Sequence, residues 1–139
     1  AAKHAIENPY LHEALGERFG SEIYFVTHSW MGPEAHPDML AFIQAYTDMY
    51  GEPPGTAFVA TGYDTVMLMA KAVEIAGSTE GDAVAQALTS NEFDLLTGKL
   101  RFRSAEEGHM PDKAAVLVAL DAGKPRFIGW RTPANPPPP

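Results

Sequence analysis

The side chains that most often carry chemistry are present, but the sequence does not group them into a site. Five histidines and eighteen acidic residues offer candidate metal ligands and proton-transfer groups. No two histidines have the spacing of a His-x-x-x-His motif, and no Gly-x-Ser-x-Gly motif or phosphate-binding loop occurs. Cysteine is absent, which excludes disulfides, thiolate zinc sites and a cysteine nucleophile. The sequence therefore predicts neither an enzyme nor a bound metal or other cofactor.

Composition and charge limit the classes of function further. The chain of 139 residues is 45% hydrophobic and 20% charged, as expected for a globular domain with one core. Its net charge is −8 and its basic residues are scattered, which disfavours nucleic acid as a partner. No run of 18 apolar residues and no basic-then-apolar N-terminus occurs, so neither a membrane span nor a signal peptide is predicted. The proline-rich tail, residues 132–139, is predicted to be extended.

Hydrophobic periodicity predicts a mostly helical first part and a β-rich end. In chain order the predicted elements are a short helix after Asn8, a buried strand over Ile23–Thr27, helices over Pro37–Tyr50 and 58–76, a helix capped by Ser78 or Thr79, and strands over 96–103, 114–120 and 126–130. The 58–76 helix is apolar on nearly every side, so we expect most of its surface to be buried. At most three strands follow three helices, which suggests that part of the covering sheet is missing.

Three segments carry a resemblance to a known family. They are 50–54 (Tyr-Gly-Glu-Pro-Pro), 62–78 (beginning Gly-Tyr-Asp-Thr-Val) and 93–102 (containing Leu-Thr-Gly-Lys-Leu-Arg-Phe). Together they resemble type I periplasmic solute-binding proteins, in the branched-chain amino acid branch of the ABC transporter systems. The resemblance reaches to about Trp130 and corresponds to the last third of a typical member. It implies an α/β fold of two Rossmann-like lobes, of which this chain holds the C-terminal portion.

The resemblance also implies how the chain is divided between the lobes. Residues 1–27 would end lobe 2, residues 28–100 would belong to lobe 1, and residues 101–131 would return to lobe 2, followed by the tail 132–139. The strands that cover the long helix would then lie upstream of residue 1. Alternatively, the segment folds alone and covers its apolar face by association with another chain.

The resemblance points to four candidate ligand-binding residues. Lys3 and His4 align with a loop whose acidic residue holds the ligand's ammonium in amino acid binders. Because an imidazole cannot replace a carboxylate there, an aromatic or other organic acid becomes a candidate ligand. Alternatively, the alignment slips and His4 is a surface residue. Trp30 would line the cleft or pack under a loop, and Tyr63 would contact ligand or pack in the core.

The function that the resemblance implies is solute capture without catalysis. The protein would bind a small amino acid or organic acid in the periplasm and deliver it to an ABC permease in the membrane. One alternative keeps the fold but makes it a ligand-sensing receptor domain. Another is a truncated, self-associating domain that binds no ligand.

Overall fold

The helices and strands are defined over residues 23–121 and 124–132, which are the residues that this computed structural model describes. They are β1 (Ile23–Thr27), α1 (Pro37–Tyr50), α2 (Ala57–Ala76), α3 (Gly81–Ser90), β2 (Glu92–Leu95), β3 (Gly98–Phe102), a short 3-10 turn (Ala105–Glu107), β4 (Pro111–Lys113), β5 (Ala115–Asp121) and β6 (Lys124–Arg131). The predicted helix after Asn8, the candidate residues Lys3 and His4, and most of the proline-rich tail lie outside the described residues.

The described strands form two antiparallel sheets of three strands each. Sheet A has the order β1-β5-β6, and sheet B has the order β2-β3-β4. In sheet A, Phe25 faces Val118, and in sheet B, Phe93 faces Leu100. Helices α1 to α3 lie between β1 and sheet B in the chain, so the α/β class is confirmed. This division of the strands between two sheets favours a return of the chain to sheet A near Ala114. The predicted lobe limits at residues 27 and 100 stay predictions.

The boundaries of the first two helices follow from proline and glycine. Pro37 occupies the first turn of α1, where a missing backbone N–H removes no helical hydrogen bond. The helix ends at Gly51, whose φ of 83° is left-handed and whose N–H donates to the Thr47 carbonyl. Helix α2 ends in the same way at Gly77. The predicted limits of both helices are confirmed to within one residue.

Two local predictions were wrong. Five strands, not three, follow the helices among the described residues, because the segment predicted as one strand over 96–103 belongs to a hairpin. Its first arm is β2, and residues 96 and 97 form the turn before β3. Helix α3 begins at Gly81 after Glu80, and neither Ser78 nor Thr79 is its cap. The Ser78 hydroxyl instead accepts a hydrogen bond from the Glu80 N–H, in a turn that precedes the helix.

Side-chain burial is concentrated in two places. In sheet A, the central strand β5 buries four apolar side chains, the consecutive residues Val118 to Leu120 and, on the other side of the register shift, Val116. Between α2, α3 and β2, a second cluster forms around Ala72, Val84, Ala87 and Phe93. Each cluster draws on elements that are distant in sequence, as a packed core requires.

The prediction that α2 is buried on most of its surface was wrong for this chain. Val66 is 68% exposed and Met69 is 45% exposed, while Ala60, Asp64 and Ala72 are the buried positions. The reason is that, among the described residues, α2 packs mainly against α3 and β2 and meets α1 at the Phe42–Tyr63 ring contact, which leaves Val66 and Met69 uncovered. Despite its apolar character, neither α2 nor any other helix of the described part is suited to crossing a membrane.

Candidate functional site

Lys113 connects the two sheets through a hydrogen bond. It is the last residue of β4 in sheet B, and its Nζ donates to the carbonyl of His28, the residue after β1 of sheet A, at 2.9 Å. Burial lowers the pKa of the half-buried Lys113 ammonium, and the opposite charge of Asp64 acts to raise it. Lys113 therefore lies where the chain leaves sheet A and where it returns.

Asp64 is the buried carboxylate of this region, and its oxygen atoms are fully engaged. One oxygen accepts the Leu96 N–H at 2.8 Å, and the other accepts both the N–H and the hydroxyl of Thr97, the N–H at 2.8 Å. A charged acceptor with several donors is a strong local anchor. Because Asp64 lies in the first half of α2, these bonds hold the β2–β3 turn against that helix.

A cleft of about 320 Å³ opens between α1, α2 and the end of β2. Its walls include Asp38, Tyr63, Met67, Lys71 and Asp94. The Lys71 ammonium is occupied within it, since its Nζ donates to the Asp94 carbonyl at 2.6 Å. The cleft thus combines an aromatic wall and a thioether with carboxylates and one lysine.

Tyr63 lies on the wall of this cleft rather than in the core. Its side chain is 46% exposed, and its ring packs against that of Phe42 on α1 with centroids 5.1 Å apart. The same row of rings continues along α1 through Tyr46 to Tyr50. A role for Tyr63 in ligand contact stays a prediction.

Trp30 lies in the loop after β1 and faces sheet A. Its ring is 5.7 Å from that of Phe127 on β6, and its Nε1 donates to Glu34 Oε2 at 2.8 Å. The loop closes so tightly over the ring that a Cβ at Gly32 would lie 2.4 Å from it, so only glycine fits there. None of these contacts joins Trp30 to Tyr63, and whether Trp30 lines a ligand cleft stays a prediction.

The two remaining candidates, Lys3 and His4, lie outside the described residues. Within the described ranges 23–121 and 124–132, no three histidine, aspartate or glutamate side chains are arranged to hold a metal ion. The geometry brings Lys113, His28 and Asp64 together beside the polar cleft, and we call this group the junction. Within this group, the hydrogen bond from Lys113 to His28 holds together two parts of the chain that are distant in sequence.

A model of the family described as "Periplasmic binding protein" matches residues 4–125, which is most of the chain. The chain belongs to the periplasmic binding protein family. A curated relative in the family is the leucine-, isoleucine-, valine-, threonine- and alanine-binding protein of Pseudomonas aeruginosa. It is 38% identical over 69 residues, which are 50% of this chain and 18% of the relative.

Solved periplasmic binding proteins have the same fold. A leucine-binding protein of Thermotoga maritima superposes with a TM-score of 0.70 at 27% identity, over 91% of this chain and 35% of its own. A solute-binding protein of R. palustris in complex with benzoate has a TM-score of 0.64 at 22% identity, over 88% of this chain and 33% of its own. The predicted fold, part of a type I periplasmic binding protein, is confirmed. The chain spans about a third of the length of these solved relatives.

The sequence did not indicate the roles of Asp64 and Lys113. Asp64 lies in one of the three segments that carry the family resemblance, and Lys113 lies in the region to which the resemblance extends, but neither was singled out as a candidate. A signal was present for each. Asp64 is a charged residue inside a largely apolar helix, and Lys113 lies two residues before the apolar strand β5. Ionic groups at such positions are rarely buried unless a partner compensates them.

Proposed function

We propose that this chain forms part of a periplasmic protein that captures a small amino acid or organic acid and delivers it to an ABC permease. The observation that carries the proposal is the junction at Lys113, where two chain passages connect sheet A with α1–α3 and sheet B. A binding protein with two lobes needs such a junction, because the lobes close over the solute by bending at the connecting segments. Membership of the periplasmic binding protein family supports the same conclusion.

We further propose an organic acid, for example an aromatic carboxylate, as the ligand class. Lys3 and His4 support this choice, because cationic side chains suit a carboxylate and no acidic residue stands at their place to hold an ammonium group. A leucine-type amino acid is the alternative. The named relatives include a leucine-binding protein and a protein in complex with benzoate, so both chemistries occur on this fold.

Calorimetric titration of the full-length protein with benzoate and with leucine tests the ligand class. We expect benzoate to bind and His4→Gln to weaken its binding, because a partner of the carboxylate is lost. His4→Glu should weaken benzoate binding further and favour leucine, since it introduces an anion beside the ligand. His36→Gln, at an exposed histidine before α1, is the matched control and should change neither. Binding of leucine without binding of benzoate would contradict the proposal.

One structural observation favours a second candidate, a self-associating domain. Gly62, Val66 and Met69 occupy one exposed side of α2 at spacings of four and three residues, and we call them the α2 stripe. The stripe is apolar and uncharged, so the same surface on a second copy can pack against it without burying charge. We therefore propose that the 139-residue chain on its own forms a dimer through the α2 stripe. Light scattering should report about twice the monomer mass of 15.0 kDa, and a monomer at high concentration would exclude this candidate.

A further inference from the structure

The chain passes between sheet A and the rest of the described structure twice, and the two passages are neighbours. The first begins at residue 28, directly after β1, and the second is Ala114, between β4 and β5. Thr27 and Val116 are register partners on adjacent strands, so the passages start within about one strand spacing of each other, roughly 5 Å. Any rotation of sheet A against α1–α3 and sheet B must bend the chain at both places.

Lys113 is the side chain that holds these passages together. Its backbone pairs with Leu100 in sheet B, and its ammonium donates to the His28 carbonyl on the first passage at 2.9 Å. A donor that carries a charge makes a stronger bond than a neutral one. The two residues are 85 positions apart in sequence, so the bond exists only while the passages keep their present arrangement.

Burial disfavours the charged form of this lysine, so the charge of Asp64 and the hydrogen bond to His28 are what compensate the ammonium group. Asp64 supplies the opposite charge, and its three hydrogen bonds to Leu96 and Thr97 fix its position. Next to His28, the hydroxyl of Ser29 is buried and has no hydrogen-bond partner among the described atoms. An unsatisfied buried hydroxyl costs free energy, so it reduces the stability of the first passage in its present conformation.

We propose that Lys113 is a positioning residue that fixes the orientation of sheet A relative to α1–α3 and sheet B by holding the two passages together. While the bond to His28 is made, the present orientation is favoured, and its loss frees both passages to bend. The inference rests on the two-lobed architecture of the proposed function, but it concerns the protein without ligand.

Pulsed EPR distance measurements on the full-length protein test this inference directly. The 139 residues contain no cysteine, so labels can be placed at Gln86→Cys on α3 and Arg126→Cys on β6, both exposed positions. Without ligand, Lys113→Met should raise the population outside the wild-type distance peak about tenfold, as expected for the loss of one charged hydrogen bond. Lys113→Arg should restore the wild-type distribution. Lys99→Met, which removes an exposed lysine paired with Glu92 in the same sheet, should leave it unchanged.

An unchanged distance distribution in Lys113→Met would overturn the inference, and so would failure of Lys113→Arg to restore it. Circular dichroism checks that each variant folds. Should Lys113→Met not fold, Lys113→Gln takes its place, because its shorter, uncharged amide also loses the bond while remaining polar. The readout needs no ligand. Failure of both benzoate and leucine to bind would therefore contradict the proposed function and leave the distance result to decide this inference alone.

Discussion

Strand β5 and helix α2 are both strongly apolar, yet one is the most buried element of the described structure and the other is widely exposed. Val116, Val118 and Leu120 on β5 are at most 1% exposed, whereas Val66 on α2 is 68% exposed. The strand lies between β1 and β6, so it is covered along both edges. Among the described residues, the helix is covered mainly where it faces α3 and β2.

This difference shows what apolar composition can and cannot indicate. An apolar element is expected to be covered, because exposing it forgoes about 25 cal/mol for each Å² of apolar surface. Composition does not say which segment supplies the cover. For β5 the neighbouring strands are among the described residues, whereas no described segment covers the α2 stripe. Four predictions test the comparison, in decreasing order of expected effect.

Leu120→Ala should cause the largest loss of stability. The side chain is 1% exposed on β5, so its truncation removes apolar contacts and leaves a cavity. We expect the free energy of unfolding to fall by about 2–5 kcal/mol. Val66→Ala is the comparison variant on α2 and should change it by less than about 0.5 kcal/mol. Urea denaturation measures both, and equal losses would mean that α2 is covered as well as β5.

Asp64→Ala tests the covered side of α2. The substitution leaves the two backbone N–H groups of the β2–β3 turn and the Thr97 hydroxyl without their acceptor. We expect a loss of about 3 kcal/mol in the free energy of unfolding, because buried donors without partners are costly. Glu74→Ala, at an exposed acid on the same helix, is the control and should change little. A loss no greater than the control's would show that the turn is held by other contacts.

Charges on the α2 stripe should weaken self-association of the 139-residue chain. In Val66→Lys combined with Met69→Lys, two ammonium groups must be buried at the contact between copies, which is unfavourable. We expect the dimer dissociation constant to rise at least about tenfold. Ile75→Lys is the matched control, since Ile75 is a similarly exposed apolar residue on the opposite side of α2. Sedimentation analysis of both variants shows which side of α2 forms the contact between copies. An equal rise in the dissociation constant for Ile75→Lys would contradict a specific role for the α2 stripe.

Arg101→Met, at an exposed position on the central strand of sheet B, should have the smallest effect. The Arg101 guanidinium donates to Asp112 at 2.7 and 3.1 Å, and this hydrogen bond lowers the pKa of the Asp112 carboxyl. A lowered folded-state pKa stabilises the protein above the unfolded-state value, and this contribution is lost as the pH falls through the folded-state value. In Arg101→Met, NMR titration should show the Asp112 pKa raised toward its ordinary value. In Lys99→Met the Asp112 pKa should stay lowered. An Asp112 pKa in Arg101→Met that is as low as in the wild-type protein would contradict the assignment of this shift to Arg101.

The helices could be predicted well because their ends are set by residues with strong local preferences. Pro37 begins α1, Gly51 ends it, and Gly77 ends α2, each through backbone geometry that does not depend on distant contacts. The compact apolar run Ile23–Thr27 was correctly predicted as a strand, but its predicted burial was wrong, because Tyr24 and Val26 are exposed. The family and the α/β class followed from motifs on these same elements.

The strands that were not predicted from the sequence, β2 and β4, depend on pairing with a neighbouring strand instead. Strand β2 has four residues, two of them acidic, and β4 begins with a proline, so neither has a strand pattern of its own. Both are strands because β3 lies between them and supplies their hydrogen-bond partners. The junction was missed for the same reason, since Lys113 and His28 meet only after the whole intervening chain has folded. Of the candidate ligand residues, the structure describes Trp30, which packs against Phe127, and Tyr63, which packs against Phe42.

The pairing of Thr27 with Val116 gives the chain a modular character. The segment between these two residues is an insertion whose ends emerge side by side from adjacent antiparallel strands. A hairpin turn of two to five residues is sufficient to join such ends, which would leave β1, β5 and β6 as a simple meander. Insertions of this kind can be exchanged, lengthened or transplanted without changing the host sheet. The architecture thus allows the helical part to diverge in evolution independently of the sheet that anchors it.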